Sequence, residues 1–177
     1  MKYQFVVIDK AVSKAQLVSV YIFSSSYGHC AIAESQLGIM AIVFASSAKK
    51  AFSEIQILWP TARKITKPSN NITAVKNVIH GVGQQESSIP LVVSGTDLQR
   101  VVWNKLLEIP IGETWSYGQL AKKVQRPKAH RAVASAVGKN LHAVIIPCHR
   151  VIRSDGSIGK YRWGSEIKKQ LLLTEAQ

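Results

Sequence analysis

Three apolar segments follow one another between residues 16 and 45, and they constrain the fold more than any other feature. They read QLVSVYIFSS, HCAIAES and LGIMAIVFA, and each is short and rich in β-branched or alternating apolar residues. The first two are separated by the turn signal Ser26-Tyr27-Gly28, and the third runs on from Gly38. This spacing predicts three consecutive strands of one sheet.

Helical spacing replaces this pattern after residue 46. Apolar side chains at Ala51, Phe52, Ile55 and Trp59 predict a helix that Pro60 ends. The segment NNITAVKNVIHGV at 70–82 predicts a second, weaker helix because it is rich in β-branched residues. The stretch GVGQQESSIP at 81–90 favours a domain boundary, so we predict an α/β domain over 1–90 and a second domain over 91–177.

The second domain is predicted to be mainly helical. Two capping boxes, Thr96 with Gln99 and Ser116 with Gln119, mark the starts of helices. The segments SYGQLAKKV and KAHRAVASAVGKN are two short helical patterns joined by a tight turn, which is a helix-turn-helix candidate. We expect LHAVIIP at 141–147 to be extended and SEIKKQLLLTEA at 165–176 to form a terminal amphipathic helix.

The charge distribution points to a polyanionic partner. The 177 residues hold 23 Lys and Arg against 10 Asp and Glu, a net charge of +13. Ten basic residues and one acid lie between Lys122 and Arg162, and such clustering is typical of nucleic-acid-binding surfaces. The longest apolar run, GIMAIVFA, is far short of the ~20 residues that span a bilayer, so we expect no membrane association. Two distant cysteines form no disulfide framework, which favours the cytoplasm.

The second helix of the candidate pair has an unusual set of small side chains, with Arg131 as its best-placed long residue. Small residues allow another surface to approach the backbone closely, and two interpretations remain open. The face could enter a minor groove with Arg131 as a wedge, or it could pack against the core of its own domain. The small residues are Ala129, Ala132, Ala134, Ser135, Ala136 and Gly138, and Lys128, Arg131 and Lys139 lie around them.

The stretch AVIIPCHRVI places one of the two cysteines, Cys148, next to His149 and Arg150. Adjacent side chains on an extended chain point to opposite faces, and no C-x-x-C spacing is present, so we expect no zinc site. A free thiol has a pKa of about 8.5, which a nearby cation or base lowers. Cys148 is therefore a candidate nucleophile, with an inert buried cysteine as the alternative. For Cys30, on a predicted strand, the inert interpretation is favoured.

These residues carry a resemblance to a known family. IPCHRV at 146–151 resembles the active-site signature of the O6-alkylguanine-DNA alkyltransferases. VVWNKLLEIPIGETWSYGQLA, RPKAHRAVASAVGKN and DGSIGKYRWG resemble the family's segments before and within its helix-turn-helix and in its substrate loop. Together they cover most of residues 94–175. The resemblance implies a ribonuclease-H-like N-terminal domain and a winged helix-turn-helix-like C-terminal domain.

The resemblance also implies a role for each matching residue. Cys148 is the expected nucleophile, held ionised by His149 through a water molecule, with Glu175 orienting His149. Tyr117 is expected to help flip the nucleotide and to donate a proton to guanine N3, and Asn140 to brace the turn before the active site. Arg131 is expected to fill the gap in the base stack, with further DNA contacts from Lys128, Ala129, Ala132 and Ser154. The guanine pocket is expected to be lined by Val151, Ile158, Tyr161 and Arg162.

The implied activity is a single, irreversible transfer of a methyl or other alkyl group from O6-alkylguanine in duplex DNA to Cys148. O4-methylthymine is expected as a poorer substrate, and the protein is expected to act as a monomer without cofactor or metal. Displacement at a saturated carbon needs only an aligned thiolate, and the base must leave the duplex first. Two alternatives stay open: a lesion-binding protein that transfers nothing, and a helix-turn-helix transcription regulator.

Overall fold

The structure is a computed structural model, and it describes residues 3–82 and 88–177. The chain forms two compact units, Met1–Gly95 and Thr96–Gln177. An α/β first part and a mainly helical second part are both confirmed. Within the described ranges, no helix is both long and apolar enough to cross a membrane.

The first unit is built on a six-stranded mixed sheet. Its strands are β1 (Tyr3–Val7), β2 (Ser19–Ser25), β3 (Gly28–Ser35), β4 (Gly38–Ala45), β5 (Arg63–Lys64) and β6 (Ile89–Val93). They lie in the order β1-β6-β4-β3-β2-β5. The three predicted strands are therefore confirmed as the antiparallel run β2-β3-β4. Seven of the eight residues of β4 are buried, which explains its continuous apolar sequence.

Three helices accompany this sheet: α1 (Lys10–Lys14), α2 (Ala48–Leu58) and α3 (Asn70–Ile79). The two predicted helices correspond to α2 and α3. Ser47 and Ser69 cap them by accepting hydrogen bonds from the backbone of Lys50 and Ile72. Ala51 and Ile55 of α2 are buried, as the helical spacing predicted.

The division between the units lies five residues beyond the predicted boundary. Position 90 falls inside β6, which pairs in parallel with β1 from Tyr3↔Ile89 to Val7↔Val93 and so belongs to the first sheet. Neither strand is predicted from the sequence, since each is only five residues long. Residues 83–87 of the predicted boundary segment lie outside the described residues.

The second unit consists of short helices and one small sheet. Its elements are α4 (Asp97–Leu106), β7 (Trp115–Ser116), α5 (Tyr117–Lys123), α6 (His130–Gly138), β8 (Val151–Ile152) and α7 (Ser165–Glu175). Both predicted capping boxes are present, at the start of α4 and of α5. The indole Nε1 of Trp103 donates to the carbonyl oxygen of Ala136 at 2.9 Å, which ties α4 to α6. Strands β7 and β8 pair in parallel.

The expectation of an extended segment over 141–147 is wrong. The side chain of Asn140 makes a local network that folds this segment into tight turns. Its Oδ1 accepts from the backbone N–H of His142 at 2.8 Å, and its Nδ2 donates to the carbonyls of His142 and Ile146. Val144 has a φ of 66°, a left-handed conformation that is strained for a β-branched residue.

Candidate active site

Cys148 begins a 3₁₀ turn, Cys148–Arg150, that lies between the Asn140 network and β8. Its side chain is buried, with the residue only 4% exposed. The amide Nδ2 of Asn140 donates to Sγ of Cys148 at 3.1 Å. The side chain of Asn140 therefore contacts the sulfur as well as the backbone of the turn before it.

His149, the next residue, is fully buried and faces the end of α7. Its Nε2 lies 2.9 Å from Oε1 of Glu175. Because an ionised carboxylate can only accept, Nε2 must carry the ring proton, which leaves Nδ1 with a free lone pair. Nδ1 is buried and has no hydrogen-bond partner among the described residues. A neutral imidazole of this tautomer is a base, because Nδ1 can accept a proton.

The charge states in this pair are set by burial and by hydrogen bonds. Burial lowers the pKa of His149 and outweighs the opposing effect of Glu175, so the imidazole is neutral near pH 7. Burial alone would raise the pKa of Glu175, but hydrogen bonds from His149 and Arg150 lower it to about 2. The carboxylate is therefore ionised throughout the physiological range.

Arg150 holds the same carboxylate with a two-pronged contact. Its Nε donates to Oε2 of Glu175 and its Nη2 to Oε1, both at 2.8 Å. Its Nη1 donates to the carbonyl oxygen of Ile109 at 2.6 Å. Such bidentate pairing fixes direction as well as distance. From the sequence, Arg150 is only a cation near Cys148, and its position next to His149 does not predict this pairing with Glu175.

The surroundings of the resting sulfur favour the thiol, although the resemblance implies a sulfur that His149 deprotonates through a water molecule. Burial raises its pKa to about 11, although the Asn140 hydrogen bond and the positive charges of Lys168 and Arg162 lower it in part. Forming the thiolate at pH 7 then costs roughly 5 kcal/mol. A base must therefore remove the proton during reaction rather than beforehand.

Lys168 is a buried cation that the sequence analysis did not single out. It is 0% exposed, and its Nζ donates to the carbonyl oxygen of Val151 at 2.6 Å. Burial lowers its pKa to about 8, although the negative charge of an ionised Cys148 would raise it. The sequence does contain a sign of this position. The inner face of α7 is formed at helical spacing by Lys168, Leu171 and Glu175, and a lysine stands there where an apolar residue is normally expected.

Two tyrosines border this site. Tyr117 is the first residue of α5, and its pKa is raised by burial and by the charge of Cys148, which indicates that the phenol and the sulfur share one electrostatic environment. The ring of Tyr161 meets His149 edge to face, with centroids 6.4 Å apart, and packs on Trp163. The structure thus groups Tyr117, Tyr161 and Val151 with the sulfur, the imidazole and Lys168.

The outer face of α6 carries the other predicted residues. Val133, Ala136 and Val137 are buried against the domain, so packing accounts for one side of the helix. Ala132 is exposed on the opposite side, together with its basic neighbours. The exposed residues on and before this helix are Lys128, His130, Arg131, Ala132, Ser135, Gly138 and Lys139, and Ala129 is half-buried.

The remaining predicted residues lie on the loop that follows β8. Ser154 and Arg162 are exposed, and Ile158 is half-buried. The loop is ordered by Asp155, whose Oδ1 accepts from both the backbone and the hydroxyl of Ser157. In the ranges 3–82 and 88–177, no group of three or more His, Cys, Asp or Glu side chains is arranged to hold a metal ion.

Comparison with known proteins places this chain in a family. The model of the 6-O-methylguanine DNA methyltransferase DNA-binding domain matches residues 97–177. Regulatory protein ada of Salmonella typhimurium is 44% identical over 85% of this chain, and the match covers 43% of that protein. The methylated-DNA–protein-cysteine methyltransferase of Methanosarcina acetivorans is 36% identical over 87% of this chain and 96% of its own length.

A solved structure agrees with the sequence comparisons. Mycobacterium tuberculosis OGT in complex with DNA has a TM-score of 0.74 and 29% identity to this chain, covering 90% of it and 93% of the solved chain. The chain spans less than half the length of the Salmonella relative, but nearly the whole of the Methanosarcina one. On its sequence and its architecture, the chain belongs to the methylated-DNA–protein-cysteine methyltransferase family.

Proposed function

We propose that this chain repairs DNA by moving a methyl or other alkyl group from O6 of guanine in duplex DNA to Cys148. The observation that carries the proposal is the Glu175–His149 pair, which leaves the buried Nδ1 of His149 as an acceptor on the residue that follows Cys148 in the sequence. A neutral imidazole held by a carboxylate is the type of base that activates a cysteine nucleophile.

The reaction begins when His149 takes the thiol proton at Nδ1 through a water molecule. The sulfur lone pair then forms an S–C bond to the alkyl carbon as the C–O6 bond breaks, and the bonding electrons move onto the guanine. The phenol of Tyr117 supplies a proton at N3 of the departing base. The thioether has no bond that water readily breaks, so each molecule acts once.

Three groups around the sulfur help thiolate formation. The Asn140 hydrogen bond and the positive charges of Lys168 and Arg162 favour the anion over the thiol. Glu175 keeps the imidazole in the required tautomer and stabilises it once it is protonated, and Arg150 fixes the position of the Glu175 carboxylate. No step calls for a cofactor or a metal ion.

We further propose that α6 enters the minor groove of the duplex. Its exposed small residues allow close approach, while Lys128 and Lys139 lie within reach of phosphates. Arg131 is the exposed long residue suited to fill the gap that a flipped base leaves. Under this proposal Ala129, Ala132 and Ser154 contact the DNA backbone, and Val151, Ile158, Tyr161 and Arg162 line the guanine pocket.

The finer structural assignments belong to the same proposal. The first unit is a ribonuclease-H-like domain, and the second is a winged helix-turn-helix-like domain that both binds DNA and accepts the alkyl group. The free thiols of Cys30 and Cys148 suit a reducing cytoplasm. The protein acts as a monomer on DNA that contains O6-alkylguanine, with O4-methylthymine as a second substrate.

The test is transfer of a radiolabelled methyl group from alkylated duplex DNA. Wild-type protein is expected to become labelled once per chain, and Cys148→Ala is expected to bind the DNA but accept no label. Label on Cys148→Ala would contradict the assignment. Wild-type protein that binds the lesion and takes up no label would favour a lesion-binding protein, and binding confined to one operator sequence would favour a transcription regulator.

Base flipping has its own test in Arg131→Ala. Because the wedge acts only on stacked DNA, this change should slow repair in duplex far more than alkylation by the free base O6-benzylguanine. Lys139→Ala, which removes a charge from the same face, serves as the matched control: it should weaken duplex binding, but at saturating DNA its rate of repair should stay close to that of the wild type. Equal losses of Arg131→Ala on both substrates would contradict the wedge.

A further inference from the structure

Arg153 stands beside Tyr117 because of the register of the small sheet. Strands β7 and β8 pair in parallel, with Trp115 opposite Val151 and Ser116 opposite Ile152. The residues that directly follow these two strands are Tyr117 and Arg153, so both lie at the same end of the sheet. No role for Arg153 follows from the reaction described above.

Gly159 shows that the two side chains converge. A Cβ on Gly159 would lie 3.6 Å from Cγ and 3.8 Å from Nε of Arg153, and 3.9 Å from Cε2 of Tyr117. Both side chains therefore lie against the same face of this glycine, which has a φ of +67°. The glycine is the point at which the substrate loop meets the start of α5.

The loop holds Arg153 in this place. The backbone N–H of Arg153 donates to the carbonyl of Ser157 at 2.9 Å, and the N–H of Gly156 donates back to the carbonyl of Arg153 at 3.1 Å. The Asp155 carboxylate accepts two further hydrogen bonds from Ser157. Arg153 is thus the fixed base of a closed turn, although its side chain is exposed to solvent.

The positive charge of Arg153 acts on the groups of the site. Burial and the charge of Cys148 raise the pKa of Tyr117, and Arg153 opposes both by lowering it. Burial lowers the pKa of Lys168, and the positive charge of Arg153 lowers it further. Asp155, which is exposed, is the acidic group that faces Arg153 within the loop.

We infer that Arg153 is a positioning residue for the leaving group: it acts through the phenol of Tyr117 to stabilise the negative charge that the departing guanine acquires. The inference rests on the proposed function. When the C–O6 bond breaks, its electron pair stays on the purine, and the proton that neutralises this charge comes from Tyr117. A cation beside the phenol favours proton release and so lowers the energy of the transition state.

The size of the effect follows from exposure. A fully buried donor to a developing anion is worth roughly 10²–10³ in rate, but solvent screens an exposed guanidinium. We therefore expect Arg153→Gln to slow alkyl transfer about tenfold. Arg153→Lys keeps the charge and is expected to recover most of the rate.

The experiment compares two free bases that differ in leaving-group acidity. These are O6-benzylguanine and its 8-aza analogue, whose purine anion is intrinsically more stable. Arg153→Gln should slow single-turnover alkylation of Cys148 by O6-benzylguanine about tenfold and by the 8-aza base much less. In a Tyr117→Phe background, Arg153→Gln should add little further loss. An equal loss on both bases, or fully additive losses with Tyr117→Phe, would overturn the inference.

Two further outcomes separate this inference from phosphate binding by Arg153 and from failure of the proposed function. A loss seen only with duplex DNA, and with neither free base, would mean that Arg153 binds phosphate and would overturn the inference. Wild-type protein that accepts no alkyl group from any substrate would refute the proposed function itself. Should Arg153→Gln fail to fold by circular dichroism, Arg153→Lys decides, because a full loss of rate with the charge retained also overturns the inference.

Discussion

Cys30 and Cys148 are both buried free thiols, yet their surroundings differ in kind. Cys30 lies on β3 between Phe23 of β2 and Phe44 of β4, and burial alone raises its pKa. Cys148 is just as deeply enclosed, but an amide and two cations offset part of the burial effect. Burial therefore does not distinguish a reactive sulfur from an inert one. The polar groups that oppose burial do.

The largest expected difference between the two regions comes from removing the base. His149→Gln keeps a donor toward Glu175 but has no basic nitrogen, so we expect alkyl transfer to Cys148 to fall roughly 10²–10⁴-fold. His29→Gln, a substitution in the Cys30 region, is the matched control and should change the rate less than twofold. Single-turnover labelling with O6-benzylguanine measures both. A His149→Gln rate close to wild type would remove the basis of the comparison.

A smaller loss is expected when the base is kept but its partner is changed. Glu175→Gln can still accept from Nε2, but it no longer stabilises the protonated imidazole, so transfer should slow roughly 10–100-fold. Arg150→Lys keeps the charge but not the bidentate geometry, so its transfer rate should lie between those of Glu175→Gln and the wild type. If Glu175→Gln reacts at the wild-type rate, the carboxylate has no part in the relay.

Glu175 also makes stability depend on pH. Its pKa in the folded protein is about 2, below the ordinary value of 4.5, so its stabilisation is complete above about pH 4.5 and disappears as the pH falls toward 2. Glu175→Gln should therefore lower the free energy of unfolding by roughly 2–3 kcal/mol at pH 7, with no difference from wild type near pH 2. Urea titrations at several pH values measure it. A gap that persists at pH 2 would contradict the assignment.

The loss of Asn140 tests the brace under the sulfur. Asn140→Ala leaves the backbone N–H and carbonyl of His142 without this partner, which we expect to destabilise the protein by roughly 1–3 kcal/mol. It also removes the donor to Sγ, so the pKa of Cys148 should rise further and transfer should slow. Asn104→Ala on the exposed side of α4 should cost less than about 0.5 kcal/mol. Equal stability losses would show that the Asn140 network contributes nothing.

The smallest effect is expected at Cys30. Cys30→Ala removes a buried sulfur from the sheet and should cost roughly 1 kcal/mol of stability with the transfer rate unchanged. Denaturant titration and single-turnover labelling check the two parts. A slowed transfer would mean that Cys30 takes part in the reaction, and the contrast between the two sulfurs would fail.

Much of this architecture could be predicted from periodicity and turn signals. The strands β2 to β4, the helices α2 and α3 and both capping boxes follow from local sequence, because each is specified by its own spacing and end residues. Strands β1 and β6 could not be found this way. Each is five residues long and gains its stability by pairing with a partner about 85 positions away, which no local pattern records.

The candidate site divides along the same line. Cys148, His149 and Asn140 were found from a short segment and the resemblance that it carries. The roles of Arg150 and Lys168 depend on the approach of α7 to the 3₁₀ turn, which is a tertiary contact. The pKa of Cys148 was predicted in the wrong direction because neighbouring cations are visible in a sequence, whereas the loss of solvent around the sulfur is not.

The most direct test of the account is the protonation state of His149 at neutral pH. Nitrogen NMR of protein labelled at histidine, assigned by comparison with His149→Gln, reports which ring nitrogen carries the proton. We predict a neutral ring protonated at Nε2 toward Glu175, with Nδ1 free to accept the Cys148 proton. A proton on Nδ1, or a doubly protonated ring at pH 7, would show that His149 cannot act as the base and would contradict the mechanism.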